Sequence, residues 1–203
     1  MICFHVYGGL GNQLFIYAFA RELRHVKKER YCLSKLDKLR YFKLTHEDWY
    51  ANFIKFLFFK IQEKIFRRTT RHFLKDQKAD YYQHVLTLQK NAALDGYFQG
   101  ERYFRQIKHT LPQVFDIQSK HKKAYQQLFP DTHQQKKIVI HIRRTDYGNS
   151  FQNVGIGTGS FILPLTYYHN ALGQIQNLHE YKIIFISDDI HFVKEHFNDF
   201  TNA

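Results

Sequence analysis

Apolar residues follow two rhythms along this chain. ICFHVY (2–7) is a short, unbroken run of aromatic and β-branched residues, which predicts a buried strand. GGLGN (8–12) breaks it with a glycine-rich turn. From 12 to 30 the rhythm changes, with Leu14, Phe15, Ala18, Phe19 and Leu23 recurring at helical spacing ahead of a charged end. Strand, glycine loop and helix in that order open many α/β folds.

Further on, ANFIKFLFFKIQEKIF (51–66) places Phe53, Leu57, Ile61 and Ile65 four apart, an amphipathic helix with that face expected inward. ALDGYFQGERYF (93–104) predicts a short strand, a turn at Asp95-Gly96 and a helix. A polar helix and linker are expected over 115–137. The last third reads strand (137–146), glycine-rich loop (149–161), helix (163–178) with Pro164 near its start, strand (182–189) and helix (190–200). Residues 31–90, rich in Lys, Phe and Tyr, give no clear element besides the 51–66 helix. A lobe boundary is expected near 130–137, dividing 1–135 from 136–203.

In an open parallel sheet, ligands gather at the carboxyl ends of strands. Arg143, Arg144, Asp146, Asp188 and Asp189 all fall there. Adjacent guanidiniums at such an end suit a phosphate, which they bind through paired hydrogen bonds. An ion pair with Asp146 is the plainer use. Asp188 and Asp189 could read a ligand such as a guanine edge, while Asp189 directly precedes a helix and also suits an N-cap. His141 shares a strand face with Arg143. GGLGN has neither dinucleotide-fingerprint nor Walker spacing; alone it is a tight turn, with Asn12 able to present its amide.

Composition narrows the class. With 20 Phe and 14 Tyr, the chain is too aromatic to be disordered. Lys and Arg total 30 against 18 Asp and Glu, a net charge of +12 that favours anionic partners. Eight of those cations and two of the acids lie in 51–78. There the Phe face is expected against the core with lysines outward, anionic membrane and nucleic acid being the other uses. Two cysteines are too few for a disulfide scaffold or a structural zinc site; Cys3 reads as a small buried residue. The histidines form no metal cluster by spacing. No nucleophile elbow is present, and no run reaches the roughly 18 apolar residues that suggest a spanning helix. A cytoplasmic location is expected, with peripheral contact at the inner face of a membrane as an option.

Five stretches together resemble the α-1,2-fucosyltransferase family, glycosyltransferase family 11: YGGLGNQLFIYAFARELR (7–24), LDGYFQGERYF (94–104), IVIHIRRTDYGN (138–149), LPLTYYHNAL (163–172) and IIFISDDIHFVKEHF (183–197). The resemblance implies an α/β, GT-B-like fold of two Rossmann-like lobes facing a cleft. It implies inverting, metal-independent transfer of fucose from GDP-fucose to the 2-hydroxyl of a galactose-type glycan acceptor, in lipopolysaccharide or other surface-glycan synthesis. Arg143 would bind the β-phosphate, Arg144 and Asp146 would complete the site, His141 would line the nucleotide pocket, and Asp188 or Asp189 would read guanine. Gly9 and Gly11 would help bind the donor, and Asn12 would face the cleft from the other lobe, near the sugar and acceptor. Asp146 and Glu101 are the candidate general bases. By the same resemblance a Ser-rich, Trp-containing segment should follow the Ser-Asp-Asp stretch. The chain stops at Ala203 and its one tryptophan is Trp49, so the C-terminal lobe is expected to be incomplete and the chain weakly active or inactive. The alternatives are a non-catalytic remnant and a basic nucleic-acid-binding protein.

Overall fold

The computed structural model describes residues 1–44, 49–66, 70–73, 85–87, 92–130, 136–145, 147–148 and 161–200. They group into two compact units, Met1–Tyr125 and Gln126–Ala203. The expected lobe boundary at 135/136 falls beside 131–135, outside the described residues.

The first unit is built on a four-stranded parallel sheet. β1 (Ile2–Phe4) and β4 (Ala92–Asp95) lie centrally, with β2 (Tyr31–Leu33) and β3 (Thr70–Phe73) at the edges, in the order β2-β1-β4-β3. Strand alternation sends Ile2, Phe4, Tyr31, Leu33 and Leu94 to one face. Helix α1 (Leu10–Lys27) covers it with Ile16, Phe19, Ala20 and Leu23. Phe4 meets Phe19, Tyr31 and Phe98 edge-on, at ring separations of 5.7, 6.5 and 6.0 Å. α1 ends at Lys28, which is left-handed (φ 56°), with Arg24, His25 and Lys27 in its last turn complementing the helix dipole.

The other face carries a row of small residues, Cys3, Cys32 and Ala93, against which helix α2 (Trp49–Phe66) sets Phe59. The faces follow from right-handed crossovers. The chain steps one way through α1 and the other way through α2, so the two helices must cover opposite faces. The return from β3 to β4 passes Val85, which packs with the α1 face.

The rotation of α2 differs from the expected one. Phe53, Leu57 and Ile61 do not face the core; each is nearly half exposed, while Asn52, Phe56 and Phe59 turn inward. Asn52 explains this. Its Oδ1 accepts from the Leu33 N–H (2.9 Å) and its Nδ2 donates to the Leu33 carbonyl (2.8 Å). The side chain thus serves the open edge of β2 as another strand would, and without it that buried edge would be left unpaired. The helix expected after the Asp95-Gly96 turn is shorter than foreseen, a single 3₁₀ turn at Glu101–Tyr103. Helix α3 (Leu111–Val114) and most of helix α4 (Ser119–Leu128) complete the unit.

The second unit is a β-α-β-α arrangement: β5 (Lys136–Ile142), α5 (Leu165–Gly173), β6 (Tyr181–Ser187) and α6 (Ile190–His196). β5 and β6 pair in parallel from Lys136↔Tyr181 to Ile142↔Ser187. Both helices pack on the face of Ile140, Ile142 and Phe185, where Tyr168, Val193 and Phe197 complete a core. On the opposite face Val139, His141 and Ile186 are exposed. The two units together make a mixed α/β chain with small parallel sheets.

Candidate functional site

β5 ends one residue before the arginines, so Arg143 and Arg144 begin the loop at its carboxyl end. Asp188 begins the matching loop after β6. Its carboxylate ties the two together. Oδ1 accepts from the Arg144 N–H (2.9 Å), and Oδ2 accepts from the Thr145 N–H (3.1 Å) and from the Thr145 hydroxyl. The Thr145 hydroxyl and then the Arg144 N–H hold the Asp188 carboxyl below its usual range. Most of its accepting capacity is therefore used inside the protein.

Asp189 caps α6: its Oδ1 accepts from the Phe192 N–H at 3.1 Å. Its Oδ2 lies 3.5 Å from Arg144 Nε. That separation is an ion pair rather than a hydrogen bond, and Arg144 Nε, buried, has no hydrogen-bond partner. The Arg144 guanidinium also stacks on Phe192, 3.5 Å from the ring centroid. So Arg144 is held by Asp189 and α6.

Arg143 points elsewhere. It is exposed, and its guanidinium lies over the Tyr147 ring at 4.4 Å. Tyr147 is fixed in turn, its N–H donating to the Arg144 carbonyl at 3.2 Å and its ring meeting Phe161 at 5.8 Å. Neighbouring arginines thus do different work, one building the loop and one presented from it. His141 is exposed on the same strand face as Val139. Asp146 lies outside the described residues.

In the first unit, the loops after the two central strands meet. The sheet order reverses direction between β1 and β4, the position where α/β sheets form a crevice. Gln99 Nε2 donates to Asn12 Oδ1 at 2.6 Å, and Tyr7 packs on Tyr97 at 4.7 Å. Gly8 is left-handed (φ +77°), and a Cβ there would come within 2.4 Å of Asn12 Nδ2. Gly9 and Gly11 are exposed, and a Cβ on either would meet nothing within 4 Å. Gln13 is fully buried; its Nε2 donates to the Gly8 carbonyl (3.2 Å), while its Oε1 has no hydrogen-bond partner. Phe98 adopts φ 53°, uncommon for an aromatic, which carries its ring into the Phe4–Phe19 cluster between Tyr97 and Gln99. Glu101 is exposed and paired with Lys108 at 2.7 Å, which lowers its pKa.

The family model described as Glycosyl transferase family 11 matches residues 62–202. The chain belongs to glycosyl transferase family 11. Membership implies a glycosyltransferase, using a nucleotide-sugar donor and a glycan acceptor, and points to fucosyl transfer. No curated protein and no solved structure gives a significant match. The family 11 match includes His141, Arg143, Arg144, Asp146, Asp188 and Asp189 together with Gln99, whereas Gly9, Gly11 and Asn12 precede it. Thr145, Tyr147 and Gln99 were not among the residues singled out by sequence. Thr145 and Tyr147 flank Asp146 in RRTDYG, and Gln99 lies in the quoted GYFQG stretch, so their position in those motifs was the available signal. Among the described residues no group of three His, Cys, Asp or Glu side chains comes together as metal ligands would.

Proposed function

We propose that this chain transfers fucose from GDP-fucose to the 2-hydroxyl of a galactose-type acceptor, with inversion, in the synthesis of a surface glycan. In this reading the two units, Met1–Tyr125 and Gln126–Ala203, correspond to the lobes of a GT-B arrangement. The second holds the donor and the first presents its glycine loop to the acceptor.

What supports the reading is the pair of arginines at the carboxyl end of β5. Arg144 is held by Asp189 and Phe192, and Arg143 is exposed beside the Tyr147 ring, at the end of a loop pinned by Asp188. A preorganised guanidinium there suits the charge that builds on a departing diphosphate. The bond from the sugar to the β-phosphate breaks as the acceptor hydroxyl attacks from the opposite face, and the electron pair leaves on the phosphate. His141, two residues along the same strand face, would lie beside the nucleotide.

Asp188 and Asp189 are the guanine-reading candidates. Their bonds within the protein make them first of all the residues that set the loop. For the proton leaving the acceptor hydroxyl, Glu101 is poorly suited, since Lys108 already holds it in its charged form. Asp146 is therefore the preferred base. Asn12, with Gly9 and Gly11 open beside it, would orient the acceptor.

Calorimetric titration with GDP tests this directly. Saturable binding that Arg143→Ala abolishes is the expected result, and any transfer of fucose from GDP-fucose to lactose should be weak and lost in the same variant. GDP binding unchanged by Arg143→Ala would overturn the assignment of the donor site.

A further inference from the structure

The outward face of α2 gathers five of the large apolar side chains exposed among the described residues. Phe53, Ile54, Leu57, Phe58 and Ile61 form one continuous stripe, each between 46% and 56% exposed. At 3.6 residues per turn they occupy adjoining positions on one side of the helix. Contiguous exposed apolar side chains on this scale mark an interaction surface. The inward face is already committed, through Asn52 on Leu33 and Phe59 on the Cys3–Cys32–Ala93 row. Rotating the helix to hide the stripe would break both.

The charges around the stripe say what it meets. By helical position Lys60 and Lys64 border one edge and Lys55 lies beyond the other, with Lys60 Nζ 5.9 Å from the centroid of the Phe56 ring. Among the described side chains of the helix, the charged ones are all lysines. Arg67 and Arg68 follow directly in sequence, and the whole chain carries +12. An apolar stripe whose described charged neighbours are all cations matches the hydrocarbon boundary of a bilayer with anionic headgroups above it. A second copy of the chain fits less well, because a two-fold contact would set these lysines against their own copies. Nucleic acid bases could stack on Phe53 and Phe58 but would leave the aliphatic Ile54, Leu57 and Ile61 unmatched.

We propose that α2 seats the first unit on an anionic bilayer, lying in the interface rather than crossing it. No helix among the described residues is long and apolar enough to cross. This docking belongs to the first unit alone and stands or falls apart from the transfer chemistry. Most of α2 precedes residue 62, where the family match begins.

The experiment is co-sedimentation of the full chain with vesicles, read together with fluorescence. The only tryptophan, Trp49, opens α2, so its emission reports on this helix. Vesicles of phosphatidylcholine with phosphatidylglycerol should bind the chain and shift the emission to the blue, and phosphatidylcholine alone should bind at least about tenfold more weakly. Phe58→Ser with Ile61→Ser should weaken binding by about tenfold or more while leaving thermal unfolding unchanged, since both side chains are exposed. Replacing Lys55, Lys60 and Lys64 by Gln should weaken it by about a hundredfold. No binding, or binding that neither variant reduces, overturns the proposal. So does a serine variant that loses stability, which would mean the stripe is covered within the protein. Wild-type self-association abolished by the serine variant, with no vesicle binding, would assign the face to a second copy instead.

Discussion

The carboxylate of Asp188 accepts both the backbone N–H and the hydroxyl of Thr145, 43 positions earlier in the chain. With the Arg144 N–H on its other oxygen, Asp188 fixes the backbone from which Arg143 projects. Asp188→Ala should therefore weaken GDP binding by about tenfold although Arg143 is untouched, and calorimetry reads this against Arg143→Ala. Thr145→Val should give a smaller loss, because the backbone N–H bonds remain.

The same clip has a pH signature. Hydrogen bonds lower the Asp188 pKa from its ordinary 3.8. A lowered carboxylate contributes stability above the unfolded pKa and loses it as pH falls through the folded one. The Arg144 and Thr145 amides should keep their exchange protection at pH 5 and above and lose it only below about 3.8. Asp188→Asn should make that protection independent of pH over the same range. Amide exchange followed by NMR against pH checks both.

Asp116 offers a second, sharper titration. Lys122 and Lys43 both pair with it, the latter at 2.8 Å, and lower its pKa to about 2. By the same sign rule its contribution is complete above 3.8 and fades as pH falls towards 2. Lys122→Ala should move the Asp116 pKa back towards 3.8, with Lys43→Ala a smaller change. Carboxyl-carbon NMR is the direct reading. Since the group is exposed, salt should diminish the shift.

Asn52 fixes the rotation of α2 through two buried hydrogen bonds to Leu33. Asn52→Ala should cost about 2–4 kcal/mol in denaturant unfolding, because it leaves the N–H and C=O of Leu33 unpaired. Asn52→Leu adds apolar surface at the same place and should still destabilise, which separates hydrogen bonding from packing.

Gln99 holds Asn12 at 2.6 Å across the loops after β1 and β4. If Asn12 orients the acceptor, Gln99→Ala should lower the transfer rate by about ten- to a hundredfold while GDP affinity stays the same. Gln99→Glu should recover part of the loss only if Asn12 turns its amide to donate. Equal losses in GDP binding and transfer would place Gln99 in general stability instead.

The elements that the sequence revealed were those with a clean rhythm and a terminator. α1, β5, β6 and the helices after Pro164 and Asp189 all have one, and the N-cap role open to Asp189 is the one it adopts. β2 and β3 escaped because three or four residues amid Lys, Phe and Tyr carry no readable period. The rotation of α2 escaped for a different reason. Periodicity locates apolar positions, but a single polar residue with a sheet edge to satisfy decided which of them face inward. In the site, Arg143 and Arg144 were legible as a pair. Their division of labour was not, because it depends on Phe192 and Asp189, nearly fifty residues downstream. Gln99 was hidden similarly, since its meaning comes from Asn12 on another strand's loop.

The row of small residues beneath α2 gives the first unit a chemical clock. Cys3 and Cys32 are in register on neighbouring strands, reduced and fully shielded, with Phe59 packed over them. A thiol reagent reaches them only when α2 lifts from the sheet or the unit opens as a whole. Their labelling rate in buffer therefore measures the free energy of that opening. If one motion governs both, the two thiols will react together. Pulling Asn52 from Leu33 by mutation should quicken both equally, and a bound bilayer should change their rate only if α2 leaves the sheet to meet it.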